Sequence, residues 1–210
     1  MGNKKVKCII VSGAPDDDYE FLRQKLDENA YIIAADSGYL KCVKVGITPN
    51  LIMGDFDSSP IPELKTEIIK LPKEKDFTDT FYCLRKAIEI GFEEIEILCA
   101  IGSRVDHNYS NMLCLDYCLK NNVKCSIVNR QNKLQLVAKE IVIDDSEYQY
   151  FSLFAFLGAV QGLSVSGAYY ELHCVDMMPY EQYAQSNCFK GIPAKISVQK
   201  GVILLIQSND

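Results

Sequence analysis

The sequence predicts an α/β domain, built as a parallel sheet with flanking helices, followed by an all-β sandwich domain. Over residues 1–129, short apolar runs typical of buried strands alternate with amphipathic helical segments. From Asn129 the helical periodicity stops, and short apolar runs separated by turn residues replace it. We therefore expect an α/β domain over residues 1–129 and an antiparallel β domain over residues 130–210.

Composition narrows the class of protein. Hydrophobic residues make up 48% and charged residues 24% of the 210-residue chain, as in globular proteins. The net charge of −6 argues against a protein that binds nucleic acid, and no stretch is long enough to span a membrane. The nine cysteines lie mostly in apolar runs without a C-x-x-C spacing, which predicts reduced thiols in a cytoplasmic protein and disfavours a zinc site.

Strands and helices alternate through the first domain, and this order predicts a parallel sheet. The predicted strands are Val6–Val11, Tyr31–Ala35, Leu51–Met53, Glu67–Leu71, Ile95–Ala100 and Lys124–Val128. The first helix follows the capping run Asp16–Asp18, and a short second helix ends at Gly46. Thr78 and Gly91 delimit a third helix over residues 79–90, and a fourth covers about 106–121.

The second domain contains only strand-like runs. They are Lys133–Ala138, Tyr148–Phe156, Val160–Val165, Ala168–Leu172, Lys195–Gln199 and Val202–Gln207. Turn residues at Asp144-Asp145, Gly158, Gly167 and Lys200-Gly201 separate these runs. The pattern predicts antiparallel strands packed as a sandwich.

The segment Gly54-Asp55-Phe56-Asp57-Ser58-Ser59 directly follows the third predicted strand. In an extended segment, Asp55 and Asp57 would point to the same side, with Phe56 turned away. Two convergent carboxylates repel each other unless a cation or proton lies between them, and Mg²⁺ is a natural occupant. In isolation a D-x-D pair is more often a solvated acidic turn, so the interpretation depends on the neighbouring clusters.

Further polar clusters follow other predicted strands, at the edge where parallel sheets bind ligands. Asp36 follows the second strand, residues 75–79 follow the fourth, and residues 104–106 follow the fifth. Asp79 adds a third carboxylate, while Lys75 and Arg104 supply positive charge for phosphate oxygens. Together with two predicted helix N-termini, this chemistry favours phosphoryl-type transfer.

Simpler interpretations remain open for single residues. Asp36 could equally cap the helix after it, and Asp106 could be a plain N-cap. His107, at a helix start, is more often structural than catalytic. No G-x-x-x-x-G-K-[ST] and no G-x-S-x-G pattern occurs in the chain, which excludes a P-loop enzyme and a nucleophile-elbow hydrolase.

Several motifs together resemble the thiamine pyrophosphokinase family in order and spacing. In the first half they are Ala35-Asp36-Ser37-Gly38, residues 46–58, residues 75–79, residues 102–107 and Asn111. In the second half they are residues 162–172, Ser186-Asn187 and the closing strand from Gly201. The resemblance covers nearly the whole chain.

The resemblance implies transfer of pyrophosphate from ATP to the thiamine hydroxyl, giving thiamine diphosphate and AMP. It also implies a homodimer whose sites lie between the α/β domain of one chain and the sandwich of the other. The implied catalytic residues are Asp55, Asp57, Asp79 and Arg104, the first three holding Mg²⁺. The implied ATP-side residues are Asp36, Lys75, Thr78, Arg104, Asp106, His107 and Asn111; the implied thiamine contacts are Tyr170, Ser186 and Asn187.

Three alternatives remain open from the sequence. One is a related Mg²⁺-dependent pyrophosphokinase that acts on another alcohol, such as a pterin. Another is a phosphatase of the haloacid-dehalogenase type, although its D-x-D normally ends the first strand rather than the third. The last is a non-catalytic nucleotide- or thiamine-binding sensor. The number of charged residues at one point argues against a sensor, because binding alone needs fewer charges.

Overall fold

The chain forms two compact units, Met1–Arg130 and Gln131–Asp210, in a computed structural model. The structure describes residues 7–27, 29–57, 60–61 and 63–210. The predicted fold class is confirmed, since a parallel α/β unit precedes a unit built from antiparallel strands.

The first unit is a parallel sheet with helices. Its described strands are β1 (Cys8–Val11), β2 (Tyr31–Ala35), β3 (Leu51–Gly54), β4 (Glu67–Lys70), β5 (Glu94–Leu98) and β6 (Lys124–Val128). They pair in the order β6-β5-β1-β2-β3-β4, every pair parallel. The described helices are α1 (Tyr19–Lys25), α2 (Gly38–Lys44), α3 (Asp79–Ile90) and α4 (Val105–Lys120). Every residue of β1 and β3 is buried, as expected for parallel strands covered on both faces.

Local capping explains why the helix that begins at Asp79 has the predicted bounds. The Thr78 hydroxyl accepts a hydrogen bond from the Phe81 N–H at 3.3 Å, and Gly91 ends the helix with φ 101°. Elsewhere the bounds move by one or two residues: β5 spans Glu94–Leu98 rather than 95–100. The predicted start of β1 at Val6 lies outside the described residues.

The second unit contains two antiparallel sheets. Its described strands are β7 (Asn132–Val137), β8 (Glu140–Ile143), β9 (Tyr150–Ala155), β10 (Val160–Ser166), β11 (Leu172–Met177), β12 (Asn187–Cys188), β13 (Ala194–Ser197) and β14 (Ile203–Ser208). One sheet has the order β12-β9-β14-β7 and the other β11-β10-β13-β8. Phe151 and Leu205 from the first sheet share a core with Leu163 and Ile196 from the second, which is a sandwich arrangement.

One predicted strand of the second unit was wrong, and two strands were not predicted. The run 168–172 is not a strand; β11 begins only at Leu172, because residues 167–171 form the connection from β10. The sequence analysis also missed β8 and the two-residue β12. Both are short, and they gain their hydrogen bonds from strands distant in sequence, β13 and β9.

Most of the cysteines are buried, as their place in apolar runs predicts. All nine cysteines lie in the described residues and are free, and six of them are buried. None of the described helices has the length and apolar character needed to cross a membrane.

Candidate active site

A cleft of about 260 Å³ lies at the carboxyl ends of the strands in the first unit. It gathers several residues that the sequence analysis selected: Asp36, Thr78, Asp79, Arg104, His107 and Asn111. It is also lined by residues outside the predicted site set: Ser12, Gly13, Ala14, Pro15, Ala35, Ser37, Thr80, Gly102 and Asn108. Of these, Ala35, Ser37 and Gly102 lie in motifs that carry the resemblance. The available signal was that β1, like its neighbours, is parallel and ends at the same edge, so the loop after it had to line the same cleft.

An ion cluster of Asp55, Lys75 and Asp79 forms beside this cleft. The Lys75 ammonium donates a hydrogen bond to Asp55 Oδ2 and lies 3.2 Å from Asp79 Oδ1. The Lys75 and Asp55 side chains are only 8% and 9% exposed. Lys75 therefore neutralises carboxylates within the protein, in addition to the phosphate-binding role expected for it.

The two carboxylates of the cluster respond differently to burial. The hydrogen bond from Lys75 lowers the pKa of Asp55, despite an opposing effect of burial. Burial raises the pKa of Asp79, and the Lys75 ammonium only partly offsets it. Burial by itself would lower the pKa of Lys75, but its two carboxylate partners outweigh that effect and raise it.

Asp79 retains a buried oxygen that could bind a further cation. Asp79 Oδ1 is buried and lies 3.2 Å from the Lys75 ammonium, but no described residue meets the geometric criteria for donating a hydrogen bond to it. Carboxylate oxygens are the donors that Mg²⁺ prefers. Within the described part of the chain, however, no three acidic, thiol or imidazole side chains are grouped closely enough to hold a metal by themselves.

Asp55 and Asp57 are not arranged as the extended segment predicted. The strand ends at Gly54, and Phe56 adopts φ 56°, so the backbone turns between the two carboxylates. The Asp57 N–H donates to Asp55 Oδ1 at 3.1 Å, which closes a tight turn. Asp55 is buried and Asp57 exposed, so one carboxylate faces the ion cluster while the other remains accessible.

The loop that carries Asp36 packs against the strand that leads to Asp55. Asp36 adopts φ 44°, and a Cβ at Gly54 would lie 2.8 Å from its Cα. Only glycine fits this close approach of two backbones. Ser37 holds the assigned N-cap position of α2, but its side chain makes no capping hydrogen bond, so the capping interpretation of Asp36 stays a prediction.

Arg104 and Asp106 form an exposed ion pair at the start of α4. Arg104 Nη2 lies 2.5 Å from Asp106 Oδ2, and Arg104 Nε donates to Oδ1 at 3.2 Å. The arginine holds the pKa of Asp106 below its ordinary value. Arg104 rather than Asp106 occupies the N-cap position, so the N-cap interpretation of Asp106 is wrong, and only Arg104 of the two lines the cleft.

Two asparagines of α4 shape the loop after β5. The Asn108 amide accepts from the Gly102 N–H and donates to the Gly102 carbonyl, both at 2.8 Å. Asn111 is buried and donates to the Ala100 carbonyl at 2.7 Å. These bonds fix the backbone that borders the cleft.

The predicted thiamine contacts differ sharply in exposure. In the second unit, Tyr170 is 68% exposed, whereas Asn187 is only 3% exposed. Ser186 is exposed with φ 56°, and its N–H donates to Ser152 Oγ at 3.0 Å. The Asn187 amide is hydrogen-bonded to the backbone of Tyr170.

Comparison with known proteins identifies the family to which the chain belongs. Two family sequence models match: "Thiamin pyrophosphokinase, catalytic domain" over residues 22–127 and "Thiamin pyrophosphokinase, vitamin B1 binding domain" over residues 139–203. The chain is 28% identical over 209 residues to a thiamine pyrophosphokinase of Bacillus subtilis (strain 168), covering 96% of this chain and 98% of that protein.

Solved structures give the same result. A crystal structure of Bacillus subtilis thiamine pyrophosphokinase is 28% identical, with a TM-score of 0.89, and the match covers 97% of this chain and 99% of that one. A Geobacillus thermodenitrificans thiamin pyrophosphokinase is 26% identical, with a TM-score of 0.84 and 98% of both chains covered. The yeast enzyme, at 15% identity and a TM-score of 0.75 over 99% of this chain and 88% of its own, shares the fold. The pterin, phosphatase and sensor alternatives gain no support from these matches, and the chain belongs to the thiamin pyrophosphokinase family and is an enzyme.

Proposed function

We propose that this chain transfers the pyrophosphoryl group of ATP to the hydroxyl of thiamine, releasing AMP. The observation that carries the proposal is the cleft of the first unit, where Asp36, Thr78, Asp79 and Arg104 meet beside the buried Asp55–Lys75 pair. Phosphoryl-type transfer needs positioning and charge neutralisation more than covalent catalysis by the protein. This edge of the sheet supplies carboxylates that can hold a cation and basic side chains that can neutralise phosphate charge.

Asp55, Asp57 and Asp79 would hold Mg²⁺ together with phosphate oxygens of ATP. Mg²⁺ commonly takes only one or two protein carboxylates and completes its shell with water and phosphate, which suits carboxylates that cannot enclose an ion alone. Asp79 Oδ1, which accepts no hydrogen bond from the described residues, and the exposed Asp57 are suitable donors. When bound, the ion would neutralise negative charge that develops on the phosphates.

Cationic and N–H groups of the cleft would bind the phosphates. The guanidinium of Arg104 is exposed and, among the described residues, is paired with Asp106 alone, so it can exchange that carboxylate for a phosphate in bidentate geometry. Lys75 adds a buried positive charge beside Asp79, and the first turn of α3, which begins at Asp79, presents backbone N–H groups. His107 lines the same cleft.

Thiamine would bind at the exposed end of the second unit, within the range matched by the vitamin B1 binding domain. The ring of Tyr170 can stack on the cationic thiazolium of the vitamin, and Ser186 is an exposed residue that directly precedes Asn187, whose amide is hydrogen-bonded to the Tyr170 backbone. Because the nucleotide residues and the thiamine residues lie in different units, we extend the proposal to a homodimer that shares each site between chains. Nine free thiols favour a cytoplasmic enzyme.

Product analysis tests the reaction. The protein is incubated with ATP, Mg²⁺ and thiamine, and the nucleotides are separated. Thiamine-dependent AMP in amounts equal to thiamine diphosphate is the expected result. ADP would indicate ordinary kinase chemistry, free phosphate would indicate a phosphatase, and no product would indicate a binding protein; each would contradict the proposal. Omission of thiamine and replacement of Mg²⁺ by EDTA serve as controls.

A further inference from the structure

The segment that presents Tyr170 is held by a short ladder of backbone hydrogen bonds. The Tyr169 N–H donates to the Cys188 carbonyl at 2.9 Å, and the Lys190 N–H donates to the Gly167 carbonyl at 3.3 Å. Ala168 and Phe189 form the bridge between these two bonds. On the described residues, this backbone ladder reaches Tyr169 and goes no further toward Tyr170.

The side chain of Asn187 continues the ladder by one residue. Its Oδ1 accepts the Tyr170 N–H at 3.1 Å, and its Nδ2 donates to the Tyr170 carbonyl at 2.8 Å. Oδ1 also accepts the Cys188 N–H at 3.0 Å. The amide thus satisfies both backbone polar groups of Tyr170, as a neighbouring strand would.

Asn187 and Tyr170 differ in their exposure to solvent, and this difference separates their roles. With Asn187 only 3% exposed and both acceptor positions of its Oδ1 in use, its amide offers a ligand little surface and one remaining N–H. Tyr170, 68% exposed, is the accessible residue of the two. We infer that Asn187 is a positioning residue that acts on thiamine through the backbone of Tyr170, and not a direct thiamine contact.

A fixed backbone matters here because stacking needs a defined ring plane. Without the clamp, residues 167–171 would have to be ordered each time thiamine binds, and the entropic cost would appear as weaker binding. The effect is confined to thiamine, since Asn187 is not among the residues of the ATP cleft. The inference rests on the proposed placement of thiamine at Tyr170.

A double-mutant cycle tests this role. KM is measured for each substrate in the wild type, Asn187→Ala, Tyr170→Ala and the double variant. Loss of the clamp should raise the KM for thiamine about tenfold and leave the KM for ATP and kcat within about twofold. In the Tyr170→Ala background, Asn187→Ala should add less than about a further twofold, because no ring remains to be positioned.

Asn209 provides a matched control in the same unit. Its amide clamps another loop in the same way, accepting the Gln149 N–H and donating to the Glu147 carbonyl, both at 2.8 Å. Asn209→Ala should therefore leave the KM for thiamine unchanged. By hydrogen–deuterium exchange, the amides of residues 167–171 should exchange faster in Asn187→Ala and remain unchanged in Asn209→Ala.

Two results would overturn the inference, for different reasons. An equal rise in thiamine KM from Asn187→Ala in both Tyr170 backgrounds would show a direct contact. If Tyr170→Ala leaves the thiamine KM unchanged while AMP is still formed, the thiamine placement itself is wrong. Should Asn187→Ala not fold, Asn187→Ser, whose hydroxyl is too short to reach both polar groups of Tyr170, must show the same dependence on Tyr170.

Discussion

The ion cluster of the first unit and the Tyr170 segment of the second are each held together by one buried side chain, but the two side chains use different interactions. In the cluster, the charge of Lys75 fixes Asp55 and faces Asp79. In the Tyr170 segment, a neutral amide fixes a backbone. A site for phosphates has to keep charged groups charged in a partly buried place, so it needs internal counter-ions. A site for an organic cation needs an aromatic face, which neutral hydrogen bonds can orient without adding charge.

The largest expected effect on activity comes from removing one carboxylate of the proposed metal site. We expect Asp57→Asn to lower kcat about 1000-fold, equivalent to about 4 kcal/mol, because a carboxylate that would hold the metal is lost. Its melting temperature in EDTA should hold or rise, because acidic repulsion is relieved. Steady-state kinetics and a thermal melt measure both effects. Asp145→Asn, at an exposed loop position of the second unit, is the control, and near-wild-type activity in Asp57→Asn would exclude the metal assignment.

Mixing differently mutated chains tests whether the first unit of one chain and the second unit of another form a shared site in a dimer. One preparation carries Asp57→Asn and the other carries Tyr170→Ala with Asn187→Ala. At thiamine concentrations below KM, each alone should have little activity. After exchange, a shared site predicts recovery of about a quarter of wild-type activity, since half the dimers are mixed and each has one intact site. No recovery despite exchange proven by mass spectrometry would contradict the shared site, as would a monomer at micromolar concentration.

The two carboxylates around Lys75 should differ in their effect on stability. The lowered pKa of Asp55 means that its ionised form stabilises the fold above its ordinary pKa, and this stability is lost as the pH falls through the lowered value. The raised pKa of Asp79 has the opposite sign: its contribution is present at low pH and is lost as the pH rises. At pH 7 in EDTA, Asp55→Asn should lower the free energy of unfolding by about 2 kcal/mol, and Asp79→Asn should change it by less than about 1 kcal/mol.

Urea denaturation of the two variants measures this difference, and repetition at about pH 3, below the ordinary pKa of an aspartate, extends the test. The gap between them should narrow at the lower pH, because the stability that ionised Asp55 contributes is lost as the pH falls through its lowered pKa. Equal losses at pH 7 would contradict the assignment of Asp55 as the principal partner of Lys75.

The smallest of the expected effects is that of salt, which should change the KM for ATP more than the KM for thiamine. Raising NaCl from about 50 to about 300 mM should increase the KM for ATP about threefold, because Arg104 is exposed and its charge is screened. The KM for thiamine should change by less than about 1.5-fold, since a neutral amide orients the ring. Sodium acetate in place of NaCl controls for a specific chloride effect. A larger salt effect on thiamine than on ATP would reverse the comparison.

The sequence predicted best where the signals were local. Thr78 and Gly91 delimit α3 correctly, since each capping bond joins residues a few positions apart. It failed where the partner is distant in sequence: β12 forms only by pairing with β9, and Lys75 meets Asp55 across 20 positions. It also failed at Phe56, where a positive φ in a non-glycine residue overrode the alternation expected of a strand. Six of the candidate residues line one cleft, but the sequence could not tell which candidates are buried and which are exposed.

The close approach at Gly54 bears on how related sequences are compared. A methyl group there would fall 3.1 Å from Asp36 Oδ1 and closer still to its Cα, so even alanine would displace the loop. A diverged chain could therefore retain every charged residue discussed above and still lose its activity through that one change. In a survey of relatives, or in a saturation library screened for growth, glycine at this position therefore has to be checked together with the aspartates.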